Sequence, residues 1–171
     1  MANLPRATQV LARGSWQGPA DHVALDYEGR FLRRKRLETA SGLAFLVDLA
    51  EVTNLTGGEA FALEDGRLVE VRCGIEPVLA VTGDLARLAW HIGNRHTPCQ
   101  IEPARLVIRE DHVLEAMLRQ LGAGVEKQLE PFRPEGGAYG LGRTMGHEHG
   151  HGHGDPGFGH SHGPGQFHVH P

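Results

Sequence analysis

Eight of the chain's 12 histidines lie between His147 and His170. His147, His149, His151 and His153 alternate with single intervening residues, His160 and His162 flank Ser161, and His168 and His170 flank Val169. Neutral imidazole is a ligand for nickel, copper, zinc and cobalt, and interspersed glycines let several rings converge on one ion. The pattern points to transition-metal binding and leaves the ion open. An unbroken run would suggest a purification handle, but Asp, Glu, Phe and Pro interrupt this one; a pH-sensing tail is the other reading. Two matches to familiar patterns are rejected. Gly159-His160-Ser161-His162-Gly163 fits G-x-S-x-G and Gly152-His153-Gly154-Asp155-Pro156-Gly157 fits G-x-G-x-x-G, yet neither has the strand and helix those motifs need.

A second signal lies outside this run, in Gly93-Asn94-Arg95-His96-Thr97-Pro98. Here a helix ends and His96 is presented from a loop just before a strand. A lone histidine in such a place is ordinarily a cap or a surface residue; the metal-binding tail supplies the functional reading. Cys99, three residues on, is spaced for metal contact but reads as a buried thiol. Arg33-Arg34-Lys35-Arg36 reads as a solvated strand face, with an acidic partner as the alternative. Glu110-Asp111 reads as helix capping rather than acid/base chemistry, and Trp16, His22, Trp90 and His91 read as structural or surface residues.

Three zones position these residues. Over 1–73, short strand candidates at Val23–Leu25, Arg30–Leu37, Leu43–Asp48 and Leu68–Val71 are separated by Glu28-Gly29, Ser41-Gly42, Gly57-Gly58 and a hairpin signal at Asp65-Gly66. This is a small β domain. Over 74–143 a strand at Glu76–Thr82 precedes a helix capped by Asp84, with Leu85, Leu88, Ala89 and Ile92 on one stripe. Gly93-Asn94 should end that helix in the left-handed conformation. Strands at Gln100-Ile101 and Arg105–Arg109 follow. Asp111 caps a second helix with Val113, Leu114, Met117, Leu118 and Leu121 inward, Gly122 closes it, and Val125–Leu129 is the last strand. The fold class is α+β, the second domain being ferredoxin-like βαββαβ. Over 144–171, eight glycines, eight histidines and three prolines predict a disordered metal-binding tail.

A net charge of −4 excludes the basic balance of a general nucleic-acid binder. The amino terminus lacks the charged start and apolar run of a signal peptide, and Gly42–Val47 is too short an apolar stretch to span a membrane. Cys73 and Cys99 form no CxxC pair and no disulfide scaffold. The expected setting is the cytoplasm, without membrane or nucleic-acid partners.

Four blocks now carry a resemblance: Gly93-Asn94-Arg95-His96-x-Pro98, Gln100-Ile101, Asp111-His112-Val113-Leu114 with Met117-Leu118, and Pro131-Phe132-x-Pro134-Glu135-x-Gly137-Ala138-Tyr139. In that order they resemble the UreE family of urease accessory proteins, from about Arg30 to the His-rich tail. The resemblance implies a cytoplasmic homodimeric nickel metallochaperone that serves urease assembly, with a chaperone-like peptide-binding first domain and a ferredoxin-like metal-binding second domain. It implies that His96 is the central ligand, supplied by both protomers across the dimer interface, since a two-fold axis turns one residue into two. His112 matches a more peripheral histidine, although the histidine some members carry two positions earlier is Glu110 here. Nothing in the resemblance favours Cys99.

The function expected is therefore nickel carriage to urease without catalytic turnover. The tail would collect ions and the His96 pair would hold one in an exchangeable site. The partners would be a urease accessory GTPase and the urease apoprotein complex. Zinc, copper and cobalt share the ligand chemistry, and copper(II) outranks nickel in intrinsic affinity. The alternative is a general transition-metal storage or detoxification protein. A metallohydrolase using Glu110 or Asp111 lacks a three-ligand constellation.

Overall fold

The structure, a computed structural model, describes residues 4–136; the tail and its eight histidines lie outside the described residues. The described residues form two helices and ten strands, the strands in two sheets: β1 (Arg6–Leu11), β2 (Asp21–Leu25), β3 (Phe31–Glu38), β4 (Ala44–Asn54), β5 (Ala60–Leu63), β6 (Leu68–Cys73), β7 (Ile75–Thr82), α1 (Leu85–Gly93), β8 (Gln100–Ile101), β9 (Leu106–Arg109), α2 (His112–Gln120) and β10 (Gly124–Pro131).

The first sheet runs β2-β6-β5-β1-β4-β3, with β1–β4 and β2–β6 parallel and the other pairs antiparallel. Ala7, Leu25, Phe45, Val47, Phe61, Val69 and Val71 are buried in one cluster. The hairpin at Asp65-Gly66 forms as expected: Gly66 adopts φ +86° and the Asp65 carboxylate accepts from the Arg67 amide at 3.1 Å. The basic run does lie on a strand, the free-edge strand β3, but all four residues are exposed where a half-buried strand would alternate. The cause is an irregularity between Leu32 and Arg34, where the partner residue jumps from Thr53 to Asp48. It lets both Leu32 and Leu37, an odd number of residues apart, point into the core.

The second sheet runs β10-β7-β9-β8, antiparallel throughout, and the elements follow the expected βαββαβ order. Both helices cover one face, where Leu79, Val81, Leu88, Ile92, Leu106, Ile108, Leu114 and Leu118 form a core. Asp111 caps α2 as expected, its Oδ1 accepting from the Val113 and Leu114 amides at 2.8 and 2.9 Å. Asp84 caps α1 more loosely, at 3.3 Å from the Arg87 amide. Two expectations are corrected. Val113 is 60% exposed, because α2 has only nine residues and its inward stripe is centred on Leu114 and Leu118. Gly93 is the last residue of α1 and Asn94 stays right-handed at φ −61°; the left-handed residue comes later.

The other face of β7 and β9 is covered by the β2–β3 turn and by Phe132. Tyr27, from the turn after β2, packs with Val78, Val107 and Phe132 in a small separate cluster. Its ring sits edge-on to Phe132 with centroids 5.4 Å apart. The Tyr27 amide donates to Glu76 Oε1 at 2.7 Å, and the buried Arg30 guanidinium donates to the Phe132 carbonyl. Arg109 reaches Glu28 at 2.6 Å and Glu76 at 3.4 Å. Phe132 is fully buried, so Phe132→Ala should cost about 3–5 kcal/mol in urea denaturation. Ile75→Ala, at a residue that is 64% exposed, should cost under about 0.5 kcal/mol.

Candidate metal-handling site around His96

The loop after α1 is shaped by two local constraints. The Asn94, Arg95 and His96 amides still donate to Trp90, Ile92 and Gly93 carbonyls, at 3.0, 3.1 and 2.9 Å, so the chain winds tightly past the helix end. Pro98 then restricts Thr97 to extended backbone. The reversal between these two segments falls on His96, at φ +54°, the one non-glycine residue with positive φ among the described residues. A left-handed L residue costs of order 1–3 kcal/mol, and such strain clusters at functional positions. His96 is exposed.

His96 lines a cleft of about 470 Å³. One wall comes from the second sheet and its loops, including Ala89, Gly93, Pro98, Cys99 and Ile101. The other comes from Tyr27, Arg30 and Asn54–Thr56 of the first. The segment 133–136 closes one side and is pinned there. The Arg133 amide donates to Gln100 Oε1 at 2.7 Å and the Glu135 amide to the Cys99 carbonyl at 2.9 Å. Gln100 Nε2 donates to Glu102 Oε1 at 2.6 Å, and Arg105 ties Glu102 (2.7 Å) to Gln128 (2.8 Å) and Glu130 (3.1 Å). The last described residue, Gly136, therefore lies in the same cleft as His96.

His112 is the first residue of α2, exposed, and is not among the residues lining that cleft. Among the described residues no group of three or more His, Cys, Asp or Glu is placed to hold a metal ion. Cys99 is half-buried, and burial, with the Glu135 carboxylate adding to it, pushes its thiol up to about 11. Cys99 packs against the core under the helices of the second sheet, which agrees with its reading as a packing residue. Trp16 donates from Nε1 to the Gly58 carbonyl at 3.0 Å, whereas Trp90 is 63% exposed and sits edge-on to the His91 ring. Tyr27, Arg30 and Asn54–Thr56 had no signal in the sequence as cleft residues. Arg30 and Phe132 are 102 residues apart, beyond any local pattern.

The backbone of His96 makes a prediction independent of metal. A glycine relieves the left-handed strain and an alanine keeps it. His96→Gly should therefore be more stable than His96→Ala by about 1 kcal/mol in thermal or urea unfolding.

Comparison with known proteins agrees with this architecture. Residues 3–74 match the family model for the UreE urease accessory protein, N-terminal domain, and residues 67–170 match that for its C-terminal domain. A urease accessory protein UreE of Rhodobacter capsulatus is 75% identical over 170 residues, covering 99% of both chains. One from Cereibacter sphaeroides is 66% identical over 150 residues, covering 87% of this chain and 82% of its own. One from Paracoccus denitrificans is 70% identical over 128 residues, covering 74% and 82%. These are accessory proteins and not catalysts, and the chain belongs to the UreE family, with a role in urease maturation.

Proposed function

We propose that the protein is a nickel metallochaperone that carries its cargo to urease during assembly. In this reading 1–73 and 74–143 are its two folded domains, a peptide-binding-like β domain and a ferredoxin-like metal-binding domain, with 144–171 as the ion-collecting tail. It works as a homodimer in the cytoplasm. Two copies of His96 meet on the two-fold axis and hold one ion with few protein ligands. Open coordination positions then allow exchange, where a closed cage would release slowly. The exposed Trp90 and Ile101, on the helix and the strand that flank the His96 loop, supply apolar surface for that self-association. His112 makes a peripheral contact. The ion passes to the urease accessory GTPase and the urease apoprotein complex.

The observation that carries this reading is the shared cleft: Gly136, the last described residue before the His-rich segment in sequence, lines the cleft where His96 is displayed. His147 follows Gly136 by eleven residues, a tether of at most about 40 Å. A short tether keeps the tail imidazoles near millimolar effective concentration at the cleft. Collection by His147, His149, His151, His153, His160, His162, His168 and His170 and transfer through His96 then become successive steps at one place. Selection of nickel over copper rests on supply and partners, because imidazole alone favours copper.

Urease activation at limiting nickel tests the division of labour. His96→Ala should remove the ion shared between protomers and impair activation more than deletion of 144–171, with His112→Ala milder than either. Deletion of the tail should lower the number of ions bound per dimer and leave cooperative unfolding intact. A His96 variant that activates fully, beside a tail-less protein that fails, would place the transfer site in the tail. A storage protein instead predicts no activation defect in any variant.

Nickel affinity should be full above the ordinary imidazole pKa and fall as pH drops through about 6.5, where protons compete for the ligand nitrogens. Calorimetric titration at several pH values reads this directly. Affinity that stays flat down to about pH 5, still above the ordinary carboxyl range, would mean that carboxylates hold the metal.

A further inference from the structure

A second cleft, of about 330 Å³, is lined by Arg13, Gly57, Gly58, Glu70, Arg72, Cys73 and Arg133, with Val71 beneath. Four stretches distant in sequence meet there: the β1–β2 loop, the β4–β5 turn, the end of β6 and the segment after β10. Three arginines and one carboxylate line it. Arg72 pairs with Glu70 at 2.7 Å, whereas Arg13 and Arg133 form no ion pair among the described residues. A concave wall with excess positive charge concentrates anions more strongly than scattered surface arginines do.

The cleft also has a built floor. Gly58 adopts φ +92°, and a Cβ there would lie 3.0 Å from Cγ and Cδ of Arg13, so the Arg13 stem lies against the bare glycine backbone. Trp16 fastens the Arg13 loop to the Gly58 carbonyl, and Ser15 donates from both its amide (3.0 Å) and its Oγ (2.7 Å) to the Ala12 carbonyl. The turn beneath is folded by Glu59, whose carboxylate accepts from the Thr56 amide and hydroxyl and the Gly57 amide at 2.7–2.9 Å. Burial opposes ionisation of Glu59, but these hydrogen bonds outweigh it and hold the carboxyl below its ordinary value. A Cβ at Gly57 would lie 2.8 Å from Cys73 Sγ, so the turn has no room for a side chain there either.

We propose that this cleft binds a small polyvalent oxyanion, gripped by the forked guanidiniums of Arg13 and Arg133 with Arg72 at its rim. Guanidinium forks match the paired oxygens of carboxylate and phosphate alike. The probes are therefore inorganic phosphate and citrate, titrated separately into the metal-free full-length protein at about pH 8, where the tail imidazoles are neutral. Working without metal keeps the outcome separate from the His96 reading. At least one anion should bind saturably with one site per chain. Arg13→Ala and Arg133→Ala should each weaken it about tenfold, the scale of one lost charge-assisted contact. Lys35→Ala, on the basic edge strand, should leave it unchanged. Gly58→Ala, checked for folding by its melt, should weaken it by displacing the Arg13 stem. Whichever anion binds identifies the source of the oxygens. No saturation by either anion below about 10 mM, or unchanged affinity in either arginine variant, would overturn the proposal.

Discussion

The Tyr27 ring, edge-on to Phe132 and flanked by the guanidiniums of Arg30 and Arg109 at 5.7 and 5.8 Å from its centroid, is the contact by which the turn after β2 is held against the second sheet. Around it the chain buries two charged groups, Arg30 at 2% exposure and Glu76 at 7%. A buried charge without partners would cost several kcal/mol, about 3–5 when one member of a pair is removed. Here each is answered: Arg30 by the carbonyls of Asp26 and Phe132, Glu76 by the Tyr27 amide and Arg109. The directional bonds select one docking of the sheets where an apolar patch alone would tolerate several.

Everything proposed about metal depends on that docking, because the cleft beside His96 takes one wall from each sheet. Phe132 is the hinge point of the arrangement. Its side chain belongs to the junction, while the residues just after it are pinned to Cys99 and Gln100. The same few residues therefore couple this junction to the His96 cleft, where Gly136 lies.

What could be read from the sequence was local. Both helices, their aspartate caps, the Asp65-Gly66 hairpin and the βαββαβ order follow from periodicity and turn chemistry within a few residues. Strand β1 gave no such signal. It is central in its sheet yet consists of Arg-Ala-Thr-Gln-Val-Leu, with a bulge between Ala7 and Gln9 and a parallel partner some forty residues away. The end of α1 was misplaced because glycine and asparagine normally take the left-handed position, and here Thr97-Pro98 defers the reversal to His96. That displacement is itself informative: a residue chosen for its side chain occupies a backbone position glycine would fill at lower cost. The resemblance located His96 and His112 as residues, but the N-terminal wall of the cleft exists only once Tyr27 and Arg30 meet the far end of the chain.

The adjacency of β7 and β10 has a consequence for how such a protein changes over generations. Ile75, where the chain enters the second sheet, pairs with Pro131, where it leaves. Entry and exit are paired in register, so the intervening unit is closed upon itself like a cassette. Whatever follows Gly136 can be lengthened, shortened or exchanged without rewiring a strand of this sheet. Under the proposed function, a lineage facing scarce or abundant ions could retune the segment after Gly136 by simple insertion and deletion, leaving His96 and its support untouched.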